Sequence, residues 1–294
     1  MTHTAVITIV AGRHRHLSAQ QLALAAGQLR PDLIVVVAMG DPGVRSVVDV
    51  GPFVARASAT RVMIEALAVP DQGQLPLARA RNVGAARAMR EGAELLVFLD
   101  VDCLPSATLM SRYEEAARRV TRRKDEPQLL CGPVAYLPPL RGGRTSYDAA
   151  SLAEAVPHRA RPTPTDGVIE PAEDMRLFWS LSFAVTPEDW KRCGGFDEGY
   201  TGYGGEDTDF AQRAGVAGGR LSWVGGATAF HQWHPVSDPP IEHLYDIVRN
   251  ANRFHSRWGR FPMEGWLEAF EAEGLAHYDP KKRKWTCLSS RPVR

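Results

Sequence analysis

Apolar residues fall along this chain in two rhythms. Short unbroken runs occur at Val6–Val10, Leu33–Ala38, Val62–Ala68, Leu95–Leu99, Leu129–Val134, Phe178–Val185 and Arg220–Val224. Such runs, bounded by Gly, Pro or charged residues, predict strands, and those lacking alternation predict strands covered on both faces. Between them, apolar positions recur three and four apart. Leu22, Ala25, Ala26 and Leu29 share one face of a helix predicted over residues 18–29, and the alanine-rich stretch from Leu77 to Met89 is a strong helix former. Leu109, Met110, Tyr113, Ala116, Ala117 and Val120 line a third helix, with Ser106 placed to cap it. Strand, helix and strand in succession predict an α/β fold with a parallel sheet, whose ligands bind beyond the carboxyl ends of the strands.

The rhythm is lost from Pro138 to Glu173, which reads as a long loop with one short helix, either a lid or an ordered insertion. It returns after Ser237-Asp238-Pro239-Pro240, a helix start, with Ile241, Leu244, Tyr245, Val248 and Ala251 on one face and Gly259 as the stop. A second short helix is expected over Met263–Ala272, and Lys281-Lys282-Arg283-Lys284 reads as an exposed tail. The division expected is a main domain over residues 1–235 and a helical extension with a tail over 236–294.

Composition narrows the function. The 294 residues carry a formal charge of +1, which gives no argument for a nucleic-acid partner. The basic run of Arg118, Arg119, Arg122, Arg123 and Lys124 reads as solvated surface. Cys103, Cys131, Cys193 and Cys287 are scattered, with no C-x-x-C pair, which argues against a zinc ribbon and for a reducing compartment. No signal peptide is recognised, and no apolar run approaches the roughly 18 residues of a membrane span, so a cytoplasmic location is expected, with peripheral membrane contact left open. Neither a P-loop nor a dinucleotide fingerprint occurs.

Candidate chemistry lies at four places. Asp100-Val101-Asp102 follows the most apolar strand, and residues two apart in an extended segment point the same way. Two converging carboxylates at the edge of a core suit a hard divalent cation, Mn²⁺ or Mg²⁺. Gly194 to Phe210 (GGFDEGYTGYGGEDTDF) packs glycines, aromatics and acids ahead of a helix. Acids in a first helical turn are favoured by the free N–H groups alone. The functional reading is that the glycines open a site where a carboxylate meets a substrate hydroxyl as general base. Late in the chain, His231 is the better placed histidine for a metal, with His234 second. Both on one metal require a bend, because residues three apart in a strand face opposite ways. Arg13 and Arg15 follow the first strand and suit a diphosphate, although a basic surface loop explains them equally well. Trp179 suits either a sugar ring or a core.

The order Ala-Arg-x-Arg-Asn (Ala78–Asn82), Asp-x-Asp, and Gly-Gly-Phe-Asp-Glu followed by Gly-Gly-Glu-Asp-x-Asp resembles the GT-A glycosyltransferases. The nearest groups by motif are the inverting family 2 enzymes and the galactosyltransferase and polypeptide N-acetylgalactosaminyltransferase groups. The galactosyltransferases usually place Trp where Tyr203 stands. The resemblance spans about residues 5–260 and implies a Rossmann-like nucleotide-diphospho-sugar transferase fold with a C-terminal helical extension. It implies an inverting transfer from a UDP-linked sugar to a carbohydrate or other hydroxyl-bearing acceptor. By residue, it implies Asp207 as base and Glu206, Asp209, Gly205 and Tyr203 toward the acceptor. Arg13, Arg15, Arg79, Arg81, Asn82, Asp100 and Trp179 would lie toward the donor, and Asp102, Asp100 and His231 on the metal. The competing readings are a sugar nucleotidyltransferase, for which Gly12 alone is a poor glycine-rich loop, and a non-catalytic sugar- or nucleotide-binding module.

Overall fold

The structure, a computed structural model, describes residues 2–54, 59–70, 73–120, 126–142 and 144–288. Asp71, Gln72 and the Arg122, Arg123 and Lys124 of the basic run lie outside the described residues. The first half contains β1 (Thr4–Val10), α1 (His14–Ala26), β2 (Leu33–Met39), α2 (Val44–Asp49), β3 (Arg61–Leu67), α3 (Leu77–Arg90), β4 (Leu95–Leu99), β5 (Cys103–Pro105) and α4 (Leu109–Val120). Next come β6 (Gln128–Cys131), β7 (Val134–Tyr136), α5 (Ala149–Ala153), β8 (Val156–Pro157), β9 (Ile169–Pro171), β10 (Ser182–Val185), α6 (Pro187–Cys193) and α7 (Glu206–Val216). The chain continues through β11 (Arg220–Val224), β12 (Ala229–His231), α8 (Leu244–Trp258), α9 (Glu264–Ala272), β13 (Ala276–Asp279) and β14 (Lys284–Cys287).

The main sheet has eight strands in the order β3-β2-β1-β4-β10-β6-β11-β9. Strands β1 to β4 run parallel, as do β6 and β11. The sheet is nonetheless mixed, where a parallel one was expected, because β10 runs antiparallel to both β4 and β6 and β9 closes the edge antiparallel to β11. Strand alternation sends Ile7, Val35, Val37, Phe98 and Phe183 into one core, with Trp190, Phe196 and Phe210 packed on them. Val6, Val36, Val97 and Leu99 point into the other, against Leu17, Leu24, Leu109 and Tyr113. Helix α3 sits close on the first face because Gly84 has no side chain: a Cβ there would fall 2.4 Å from a methyl of Ile7.

A second, four-stranded sheet, β5-β12-β7-β8, continues from the carboxyl ends of β4, β6 and β11. Two strands anchor the stretch expected to be an open loop: β8 pairs with β7, and β9 with β11. After residue 236, Leu244, Ile247, Val248 and Ala251 of α8 meet Leu267 and Phe270 of α9 and Ala276 and Trp285 in a third, small core. The Lys281–Lys284 stretch is the turn and edge of the β13–β14 hairpin, not a tail, and the Asn252 amide fastens it by bonding both the N–H and the C=O of Trp285. Among the described residues no helix is long and apolar enough to cross a membrane.

Candidate active site

Strand β4 ends in a tight turn, in which Cys103 N–H donates to the Asp100 carbonyl. That turn holds both acids at the edge of the sheet but gives them different neighbours. The Asp102 carboxylate meets His231 Nε2 at 3.6 Å and His234 Nε2 at 3.7 Å. One donor atom from each of the three residues lies within 4.8 Å of the others. The bend that two histidines on one metal would require is present. β12 stops at His231, Gln232 N–H turns to donate to the Asp102 carbonyl, and His234 swings round to the same side. Burial lowers the His234 pKa, with Arg13 adding to the effect, which keeps an imidazole lone pair free. One carboxylate and two imidazoles form a mixed oxygen–nitrogen donor set that fits Mn²⁺ better than Mg²⁺, which prefers oxygen. Arg13, left-handed at φ 48° as it enters α1, already pairs with Asp102 at 2.9 Å.

Asp100 faces the other way, to Arg81 of α3. The Arg81 guanidinium is buried and forks between two carboxylates, with Nη2 to Asp100 at 3.0 Å and Nη1 to Glu206 at 3.2 Å. A single side chain thus joins the strand-end acids to the glycine-rich motif. Burial raises the Asp100 pKa against the opposing pull of Arg81. Burial, with the neighbouring Asp207 charge, pushes Glu206 up to about 7, although Arg81 opposes this. One oxygen of Glu206 is buried without a hydrogen-bond partner.

Gly204 and Gly205 take φ values of +91° and +88°, conformations that side chains disfavour, and they lead directly into α7. Asn250 of α8 fixes that turn by donating to the carbonyls of Thr201, Tyr203 and Gly204. Asp207 is only partly buried. Its carboxylate accepts from the Thr208 N–H at 2.7 Å, and burial raises its pKa while Arg81 lowers it. Tyr203 stacks on His243 at 4.4 Å. Asp209, expected toward the acceptor, is fully buried on the far side of α7, where Arg213, Arg257, Trp258 Nε1 and the Tyr200 hydroxyl hold it.

Among the residues expected on the donor side, Asn82, Arg79 and Arg15 have the following surroundings. Asn82 exchanges two hydrogen bonds with the backbone of Phe196 and holds the Gly194–Phe196 loop against α3. Arg79 is exposed and lies 3.9 Å from Glu198 on that same side. Arg15 lies in the first turn of α1, which begins at His14 where a loop was expected, and its side chain is exposed. Trp179 precedes β10 and lines an open cleft of about 410 Å³ with Thr208, Arg176, Arg260, Phe261, Met263 and Trp266. The cleft's Thr208 bonds the carboxylate of Asp207, and α9 with the loop before it forms one wall. Sequence reasoning passed over Asp41, after β2, as mere turn. Its carboxylate accepts from the N–H groups of Gly12 and Gly43 and meets His14 Nε2 at 2.9 Å. Burial works against its ionisation, but the His14 and backbone bonds outweigh that and lower its pKa. Its position at a strand's carboxyl end was the available signal.

The large mixed sheet agrees with known structures. The chain superposes on GalNAc-T7, solved with UDP, GalNAc and Mn²⁺, with a TM-score of 0.53 at 12% identity over 94% of this chain and 57% of that one. It superposes on S. aureus TarS with a TM-score of 0.52 at 14% identity, over 85% of this chain and 39% of the other. On TarS residues 1–349 the TM-score is 0.53, over 93% and 79%. The chain has the GT-A fold. Within that fold, residues 169–234 match the family model described as the N-terminal domain of galactosyltransferase, a span that includes Trp179, Glu206, Asp207, His231 and His234. The match spans little more than half of GalNAc-T7 and less than half of full-length TarS. Comparison with curated protein sequences finds no match.

Proposed function

We propose that this GT-A chain transfers a sugar from a nucleotide diphosphate donor to an acceptor hydroxyl, with inversion. The observation that supports the reading is the Arg81 fork, which bonds Asp100 of the strand-end pair and Glu206 of the motif. Asp102, His231 and His234 would hold a divalent cation, Mn²⁺ before Mg²⁺, which when bound neutralises the diphosphate leaving group. Arg13 lies beside Asp102, at the mouth of the first loop, and is placed to turn to the phosphates. Asp41 and His14 flank the same loop on the nucleoside side. The acceptor lies in the Trp179–Trp266 cleft, where aromatic faces suit a sugar ring and Asp207 accepts the hydroxyl proton. Residues 236–288 then act as the acceptor-side extension of a main domain over 1–235.

With one base and no nucleophile assigned on the donor side, the product should be inverted. The test incubates the protein with a panel of nucleotide sugars, with Mn²⁺ or chelator, and measures nucleoside diphosphate release. Release should depend on Mn²⁺ and be lost in Asp102→Ala. Proton NMR of early product from an α-linked donor should show a β anomeric signal. Release unaffected by chelator would overturn the metal assignment, and an α product would overturn inversion.

A further inference from the structure

Arg161 lies between the two sheets and is nearly as buried as any core residue, at 4% exposed. Its three guanidinium nitrogens find no oxygen or nitrogen acceptor, and the side chain that does bond to it is the Cys131 thiol, a weak acceptor. The cation is enclosed by aromatic faces, 4.8 Å from the centre of the Trp223 ring and 5.4 Å from that of Trp179. The surrounding groups that might lend a negative charge do not. Burial pushes the Cys131 thiol up to about 12 and raises the Tyr113 pKa, so both stay neutral at pH 7. His158 is also neutral, its pKa lowered by burial and then by Arg161 itself. A buried guanidinium with no counter-charge costs stability that ring contacts repay only in part.

This cation lies on the flank of the candidate active site. Its backbone N–H bonds the His158 carbonyl, His158 lies edge-on to Trp179 at 4.5 Å, and Tyr136 bridges from His158 to the His231 ring, 5.0 Å away. Tyr136 feels both the Arg161 and the Asp102 charges. Trp179 has its ring over Arg161 and also lines the open cleft, and it is itself partly exposed.

We propose that Arg161 is an anion-binding residue of this site, exposed when Trp179 swings aside, and that its ligand is a phosphate or carboxylate oxygen of the bound substrate. A planar fork of five donors matches the paired oxygens of either group. The source is the donor's diphosphate or an acidic sugar. The proposal deepens the sugar-transfer reading, on which it rests for the identity of the ligand but not for its charge.

Thermal shift and calorimetry with inorganic pyrophosphate, glucuronate and neutral glucose separate the sources. At least one anion should bind the wild type and glucose should not, with pyrophosphate pointing to the diphosphate and glucuronate alone to an acidic sugar. Arg161→Met should lose roughly tenfold to a hundredfold in affinity for that anion. Its melting temperature without ligand should match or exceed wild type, since the unpaired charge is gone. The proposal fails if neither anion binds the wild type, or if Arg161→Met binds as tightly. Should the Met variant not fold, Arg161→Lys decides, because it keeps the charge and loses the fork. Weakened anion binding supports the proposal, and wild-type binding overturns it. Failure of the sugar-transfer reading would look different: no nucleotide release from any donor, with anion binding by Arg161 intact.

Discussion

Asp207 and Asp209 are two residues apart in one motif and have opposite surroundings, so they should fail in opposite ways. Asp207→Asn keeps the shape and removes the basicity. Turnover should fall about 10²–10⁴-fold, with melting temperature and Mn²⁺ affinity unchanged. Asp209→Ala removes the fully buried carboxylate that pairs with the part-exposed Arg213 and Arg257, although Arg257 keeps Asp197 and Arg213 keeps two carbonyls. Solvent screens both cations, so the loss in denaturant unfolding should be about 1–3 kcal/mol, below that of a fully buried pair. Glu206 gives a pH test. Its folded pKa, about 7, lies above the ordinary 4.5, so the fold favours its protonated form. That contribution is complete below 4.5 and is lost as pH rises to about 7. The wild-type melting temperature should therefore fall relative to Glu206→Gln across that window. A constant difference would remove the shift. The spacing of the acids was legible in the sequence. Which of them face inward was not, because that depends on where α8 delivers Arg257 and Trp258, almost fifty residues later.

Among the elements, the buried runs gave most strand positions, and the alanine pattern gave α3 closely. Periodicity does not encode direction. β10 enters the sheet antiparallel through its partners on both sides, and no residue within Ser182–Val185 announces that. The stretch from 138 to 173 looked shapeless because its strands are only two and three residues long, too short for alternation to register. The metal-side histidines were placed by type and order. Their convergence depends on the chain turning after β12, where Gln232 bonds Asp102. The element most tied to the motif is α8. Asn250→Ala would leave the Tyr203 and Gly204 carbonyls without their donor, while Thr201 keeps Arg249. Turnover should drop more than Mn²⁺ affinity, since Asp102, His231 and His234 do not touch that loop. An equal loss of both would mean that the loop and the metal cluster fold as one unit.

At the scale of the molecule, the site is assembled from distant parts of the sequence. Arg81 comes from the first third, Asp100 from the central strand, Glu206 from the motif, and the Asn250 that shapes the motif turn from the C-terminal helix. Gly204 and Asn250 are separated by 46 positions. At roughly 5–20 residues per second on a ribosome, the glycine turn emerges about 2–9 s before the side chain that shapes it. During translation the sheet and its acids have their strands in hand while the motif turn still lacks its template. The motif turn can therefore take its fixed form only after α8 has emerged, and a nascent chain that ends before residue 250 lacks the donor that shapes the proposed site.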